Sequence, residues 1–251
     1  QTPLNEQDLK MMSEAVEVLR QFKGFSYFTE MSDIINRLED HVASARMKTT
    51  PVIDFEKNES LKGLDYLDTI YHAIVNEHPI QLKYRSFKAR SANSFIFYPY
   101  LLKEYRNRWF VYGVRGNGRV LQNLALDRIQ SLEVLPQEHY IKNTFFDPNT
   151  FFDDLVGVTK NSGSVAEKVG FKVAAAEAPY IITKPIHRSQ QLVERLPDGS
   201  VILEIEVVIN HELERVFFGY VDGIEILYPK TLVELMSRKL EKAAKQYTKS
   251  K

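Results

Sequence analysis

Residues 108–128, RWFVYGVRGNGRVLQNLALDR, decide how the middle of this chain folds. Arg108, Phe110 and Tyr112 alternate with Trp109 and Val111, the period of two that marks a β-strand. Arg115-Gly116-Asn117-Gly118-Arg119 then supplies Gly and Asn where a hairpin needs positive φ, and a second strand returns from Arg119 to Leu126. Outward from this hairpin the same period predicts strands at Ile80 to Phe87, Ser94 to Leu102 and Ile129 to Leu135. A helix with Leu61, Leu64, Leu67, Ile70 and Ile74 on one face precedes them. One helix followed by five short antiparallel strands is the element order of a small closed barrel, which also hides strand edges this apolar.

The flanks read differently. Asn5 caps an acidic first turn, Glu6, Gln7 and Asp8, and Leu9, Met12, Val16 and Leu19 recur at helical spacing until Lys23-Gly24. A second helix starts near Thr29 with Met31, Ile34, Ile35 and Leu38 inward, and Pro51 to Phe55 reads as extended. Beyond the barrel, Asp147-Pro148 reads as an N-cap and first helical position, predicting a connector helix that carries Phe151, Phe152 and Leu155 and ends at Gly157. Asn161 to Ser164 reads as a joint. The tail reads strand (Val169 to Val173), helix (Ala176 to Ile182), strand (Gln190 to Leu196), strand (Val201 to Ile209), helix (His211 to Tyr220), strand (Ile224 to Leu227) and helix (Thr231 to Tyr247). That is the βαββαβ ferredoxin-like plan with a helix added. The expected fold class is therefore α+β: N-terminal helices, an Sm-like or SH3-like small β-barrel, and a C-terminal ferredoxin-like α/β sandwich. The boundaries expected are 1–60 for a helical connector or dimerisation segment, 61–136 for the barrel, 137–165 for a connector and 166–251 for the ferredoxin-like domain.

Composition narrows the function. The 251 residues hold 33 Lys plus Arg, 33 Asp plus Glu, no Cys and one Trp. Thiol nucleophiles, thiolate zinc sites and disulfides are excluded, and a reducing, cytoplasmic setting is the default expectation. The first residue is Gln1 rather than Met, so a preceding segment is expected to exist. The six His are scattered, none in a two-ligand spacing, and the sequence lacks HExxH, GxGxxG, GxxxxGK[ST] and GxSxG. No enzyme activity, metal or cofactor is expected.

Charge is neutral only in sum. Residues 1–80 carry 8 basic and 14 acidic side chains, net −6, whereas 81–130 carry 10 basic against Glu104 and Asp127 alone, net +8. Arg presents a planar fork that suits phosphate, and Arg interleaved with aromatics on a small barrel is what nucleotide or single-stranded nucleic-acid binding requires. The competing account is that the aromatics are barrel core and the basic surface pairs with the acidic first third. On the first strand Tyr84 and Ser86 share a face. At the end of the fourth, Leu124, Leu126 and Arg128 do.

Leu82-Lys83-Tyr84-Arg85-Ser86, Tyr98-Pro99-Tyr100-Leu101-Leu102, Trp109-Phe110-Val111-Tyr112 and Leu126-Asp127-Arg128-Ile129 together resemble a WYL domain. His187-Arg188-Ser189-Gln190, Asp198-Gly199 and Gly223 to Pro229 resemble the C-terminal extension that often follows one. The naming triplet reads Trp-Phe-Val here, without the hydroxyl of a middle Tyr. The resemblance implies a bacterial transcriptional regulator in which an N-terminal winged helix-turn-helix reads operator DNA and the barrel senses a nucleotide or short nucleic acid, usually as a homodimer. No winged helix is legible before residue 60, where the chain is acidic. The resemblance also implies that Tyr84, Ser86, Trp109, Tyr112 and Arg128 lie at or near the ligand face, with Arg106, Arg108 and Arg119 close by. The alternative expectation is a basic barrel that docks a protein partner and takes no small ligand.

Overall fold

The structure is a computed structural model and describes residues 62–116, 118 and 120–248. The helices expected before residue 60, together with Asn117 and Arg119 of the hairpin turn, lie outside the described residues. The chain divides into two compact units, residues 1–143 and 144–251.

In the first unit a 3-10 turn, Leu64–Tyr66, leads into α1 (Leu67–Val75). Leu67, Ile70 and Ala73 recur every third residue and are buried, which sets this helix on the sheet. Five strands follow: β1 (Ile80–Tyr84), β2 (Asn93–Tyr105), β3 (Arg108–Arg115), β4 (Leu121–Ala125) and β5 (Ile129–Val134). They are hydrogen-bonded in the order β4-β3-β2-β1-β5, all antiparallel. The end strands are joined by one 3-10 turn, Leu126–Arg128. In a flat sheet four spacings of about 4.8 Å would hold those ends roughly 19 Å apart. Four steps at about 2 Å span only some 8 Å, so the sheet has to roll into a small barrel around Ile80, Leu82, Phe97, Val111 and Leu126. β2 supplies the bend: its register with β3 shifts between Pro99 and Leu101. Gly113, opposite Pro99, lets the strands close up, since a Cβ there would lie 2.1 Å from the Tyr98 carbonyl oxygen.

Two expectations about strand ends need correction, and both touch the site. The register of β1 on β5 slips between Lys83 and Tyr84, so the strand ends at Tyr84 instead of continuing to Phe87. Residues 85–89 leave the sheet, held by Arg85 N donating to Arg128 O (3.1 Å) and Ala89 N to Ser86 O (3.0 Å). Likewise the fourth strand stops at Ala125 and Leu126–Arg128 is helical, so Leu124, Leu126 and Arg128 do not share a strand face.

The second unit contains β6 (Glu167–Val173), α2 (Ala178–Thr183), β7 (Gln191–Arg195), β8 (Val201–Val207), α3 (His211–Phe218), β9 (Ile224–Tyr228) and α4 (Lys230–Thr248). The sheet order is β7-β8-β6-β9, antiparallel throughout; numbered within the unit this is 2-3-1-4, the order the βαββαβ plan requires. Val169, Phe171 and Val173 share a face of β6 and pack with Leu203, Ile205, Leu213 and Phe217 into a second core.

The connector helix expected at 147–157 is absent. Asp147 accepts from Asn149 N through its side chain (2.9 Å), and the backbone then makes successive turns. The cause is a short repeat, NTFFD at 143–147 and again at 149–153, which brings a second Asn-Thr pair where a helix would have to elongate. Its rings pack on each other, Phe146 tilted against Phe151 at 4.8 Å and Phe151 edge-to-face with Phe152 at 5.0 Å. The segment is tied down at Asn210, the cap of α3. Asn210 Oδ1 accepts from Leu213 N (2.8 Å), while Nδ2 donates to Val156 O (3.0 Å) and Thr159 O (2.9 Å).

Candidate anion-binding cleft

The slip at Lys83/Tyr84 and the 3-10 turn at Leu126–Arg128 meet on one side of the barrel. Between them lies a cleft of about 300 Å³ lined by Arg85, Ser86, Phe87, Asp127, Arg128, Ile129 and Gln130. Phe87 is 74% exposed, an unusual place for a large ring, and the Arg128 guanidinium carbon lies over it at 4.5 Å from the ring centre. A cation held over a ring in this way is attracted by its π face. Arg128 Nε is buried and makes no hydrogen bond. On the inner side the Arg128 guanidinium neighbours the Tyr84 hydroxyl. Burial pushes that hydroxyl above its ordinary value, and the guanidinium partly offsets the rise. Tyr84 therefore stays a neutral hydrogen-bonding group at physiological pH.

Asp127 is the single carboxylate among the lining residues. It sits between two arginines, Oδ2 at 3.4 Å from Arg108 Nε and Oδ1 at 3.9 Å from Arg128 Nε. Charge-assisted hydrogen bonds between such groups are near 2.7–2.9 Å. The guanidiniums are attracted but not committed. Three Arg against one Asp leave this corner of the barrel net +2.

The residues expected to meet a ligand are distributed as follows. Ser86 and Arg128 line the cleft. Tyr84 lies behind Arg128, and Arg108 reaches the cleft through Asp127. Trp109 is half-buried against the barrel core beside Val111, and Tyr112 is 2% exposed. Arg106 sits at the β2–β3 turn with φ 50°, over the Tyr105 ring at 5.5 Å. Arg119 is outside the described residues. Sequence reasoning missed Arg85, Phe87, Asp127 and Gln130 as lining residues. Arg85, Phe87 and Gln130 fall within expected strands and Asp127 between two of them, and strand parity does not survive a register slip or a 3-10 turn. Among the described residues no group of three His, Cys, Asp or Glu is placed to hold a metal, and no helix is long and apolar enough to cross a membrane.

With this geometry in view, comparison with known proteins is informative at the level of domains. The WYL domain family matches residues 65–134, the segment that builds the barrel and its cleft, and the WCX domain family matches residues 166–244, the second sheet with its helices. No curated protein matches the chain. Two solved structures are similar at low identity. Proteasome accessory factor B/C (PafBC) of Arthrobacter aurescens is 16% identical over 76% of this chain and 28% of its own, with a TM-score of 0.31. A CRISPR Cas-related protein is 12% identical over 74% of this chain and 52% of its own, with a TM-score of 0.46. The chain thus spans 28% and 52% of the lengths of these two structures. It carries a WYL domain followed by a WCX domain, as WYL-domain transcriptional regulators do.

Proposed function

We propose that this chain is the ligand-sensing and dimerising part of a transcriptional regulator, and that its cleft binds the phosphate groups of a nucleotide or a short single-stranded nucleic acid. The observation that carries this reading is Arg128: a guanidinium stacked on an exposed ring, with an unbonded Nε, in a cleft it shares with Arg85 and Ser86. Arg128 and Arg85 neutralise phosphate oxygens, Ser86 donates a hydrogen bond, and the open side of Phe87 stacks with a base for about 1–3 kcal/mol. Occupancy is relayed to an N-terminal DNA-binding domain that reads operator DNA, and the working unit is a cytoplasmic homodimer. Relay of this kind is a coupling free energy between two states of the dimer. The chain performs no catalysis in this reading.

Titration of fluorescein-labelled hexathymidylate against the wild-type chain and Arg128→Ala tests the assignment. Saturable binding that weakens with salt and falls by about 10-fold or more in the variant, with the melting temperature little changed, supports it. Equal binding by both proteins contradicts it and favours a basic barrel that docks a protein partner instead.

A further inference from the structure

A site built to hold phosphate would be expected to present arginines alone, yet this one places a carboxylate among them. Asp127 is 13% exposed at its side chain and lies between Arg108 and Arg128, 3.4 and 3.9 Å from their Nε atoms. Its Oδ1 and Arg128 Nε are both buried, and neither makes a hydrogen bond. A carboxylate whose purpose was to orient the two guanidiniums would grip them by forked bonds at hydrogen-bond distance. Asp127 holds them by charge alone, from within the lining of the cleft.

We propose that Asp127 is a resident counter-anion, which a ligand phosphate must displace from Arg108 and Arg128. The inference rests on the cleft being the ligand site, and it adds a selection rule to it. While Asp127 remains, the corner has net charge +2 instead of +3, so a ligand gains only if its own charge outcompetes one carboxylate already in position. A single weakly charged anion, such as a metabolite carboxylate, offers no advantage over Asp127. A chain of phosphates does, because several contacts form for one contact displaced. Asp127 thus sets a threshold against abundant small anions and tilts the cleft toward multiply charged ligands. The 3-10 turn makes the exchange possible, since Asp127 and Arg128 are adjacent residues on a short connection between two strand ends rather than within a ladder.

The test uses the full chain as wild type and as two variants, the near-isosteric Asp127→Asn and the charge-retaining Asp127→Glu. The probes are labelled hexathymidylate and, by competition, thymidine monophosphate. Asp127→Asn is expected to bind hexathymidylate about fivefold or more tightly, the fold-change of one charge contact at a partly exposed site. It is also expected to narrow the preference for hexathymidylate over the monophosphate, while Asp127→Glu keeps the wild-type pattern. Unchanged or weaker binding by Asp127→Asn, alongside loss of binding in Arg128→Ala, would show an orienting role and overturn this inference while leaving the site assignment intact. Absence of binding by both wild type and Asp127→Asn would overturn the site assignment and this inference with it.

Discussion

The cleft of the first unit handles charge differently from the tightest ion pairs of the second, although the first unit also holds a short pair, Lys142 with Glu77 at 3.0 Å. In the second, acids and bases are satisfied at short range: Arg188 with Asp153 at 2.6 Å, Lys160 with Asp154 at 2.7 Å and Lys168 with Glu204 at 2.8 Å, the last also accepting from the Tyr228 hydroxyl at 2.7 Å. In the first, the arginines around the cleft meet one carboxylate at 3.4 and 3.9 Å, and a ring takes the remaining face of Arg128. Paired charges at a surface contribute little, about 0–1 kcal/mol each, and ask for no ligand. Charges met only at longer range, as around the cleft, lean more on the rest of the fold to hold them in place. On the proposed reading, the difference puts recognition in the first unit.

The comparison breaks if the units are energetically one body. Phe171 is fully buried in the second core, and Phe171→Ala is expected to destabilise that unit by about 3–5 kcal/mol. Trp109, the only Trp, reports on the first unit alone. Its unfolding transition and hexathymidylate binding should both be unaffected; a matching loss in the Trp109 signal would show one cooperative fold. Next in size is Arg128→Ala, for which about 1.5–3 kcal/mol of binding should disappear with stability changed by less than about 1 kcal/mol.

The pH responses should diverge as well. Burial raises the hydroxyls of Tyr84, Tyr100 and Tyr140, Tyr100 to about 12. In the unfolded chain these groups ionise near pH 10, while the folded first unit keeps them protonated. Its stability is therefore intact below pH 10 and falls as pH rises from there toward 12, which urea titrations followed by Trp109 at pH 9 and 11 would detect. His187 behaves in the reverse sense. Burial first, then the neighbouring Arg188 charge, hold its pKa below the ordinary 6.5, and its Nδ1 lies 2.7 Å from Ser189 Oγ. The unfolded chain takes up the proton first, so the second unit loses stability as pH falls through 6.5. Hydrogen exchange at β6 and β8 amides should quicken between pH 7 and 5.5 after correction for intrinsic rates, and the slope should flatten in His187→Gln. The smallest effect is expected for Lys168→Ala, a melting temperature hardly changed, because that lysine is exposed.

Most of the architecture was legible in the residues. Alternation in Ile80 to Lys83 and in Arg108 to Val114, and the change of period after Val75, place the strands of the barrel. Val169, Phe171 and Val173 do the same for the second sheet. The cleft was only partly legible. The family resemblance names Ser86 and Arg128, but the strand faces that alternation gives them do not hold, since both sit where the strands have ended. A register slip depends on how β1 meets β5, strands nearly fifty residues apart, and no local pattern encodes it. The same holds for Phe87, whose ring reads as core by composition and is exposed because the chain has left the sheet. The connector shows a different limit: Asp147-Pro148 is a sound helix start, and the second Asn-Thr pair that follows it stops the helix from growing.

Amide hydrogen exchange of the full chain with and without hexathymidylate tests the central claim most directly, because it asks where the ligand sits without altering the protein. The account predicts slowed exchange confined to residues 85–87 and 127–130, the two segments that line the cleft. Protection centred on the second unit, or none in these two segments under saturating ligand, would contradict it.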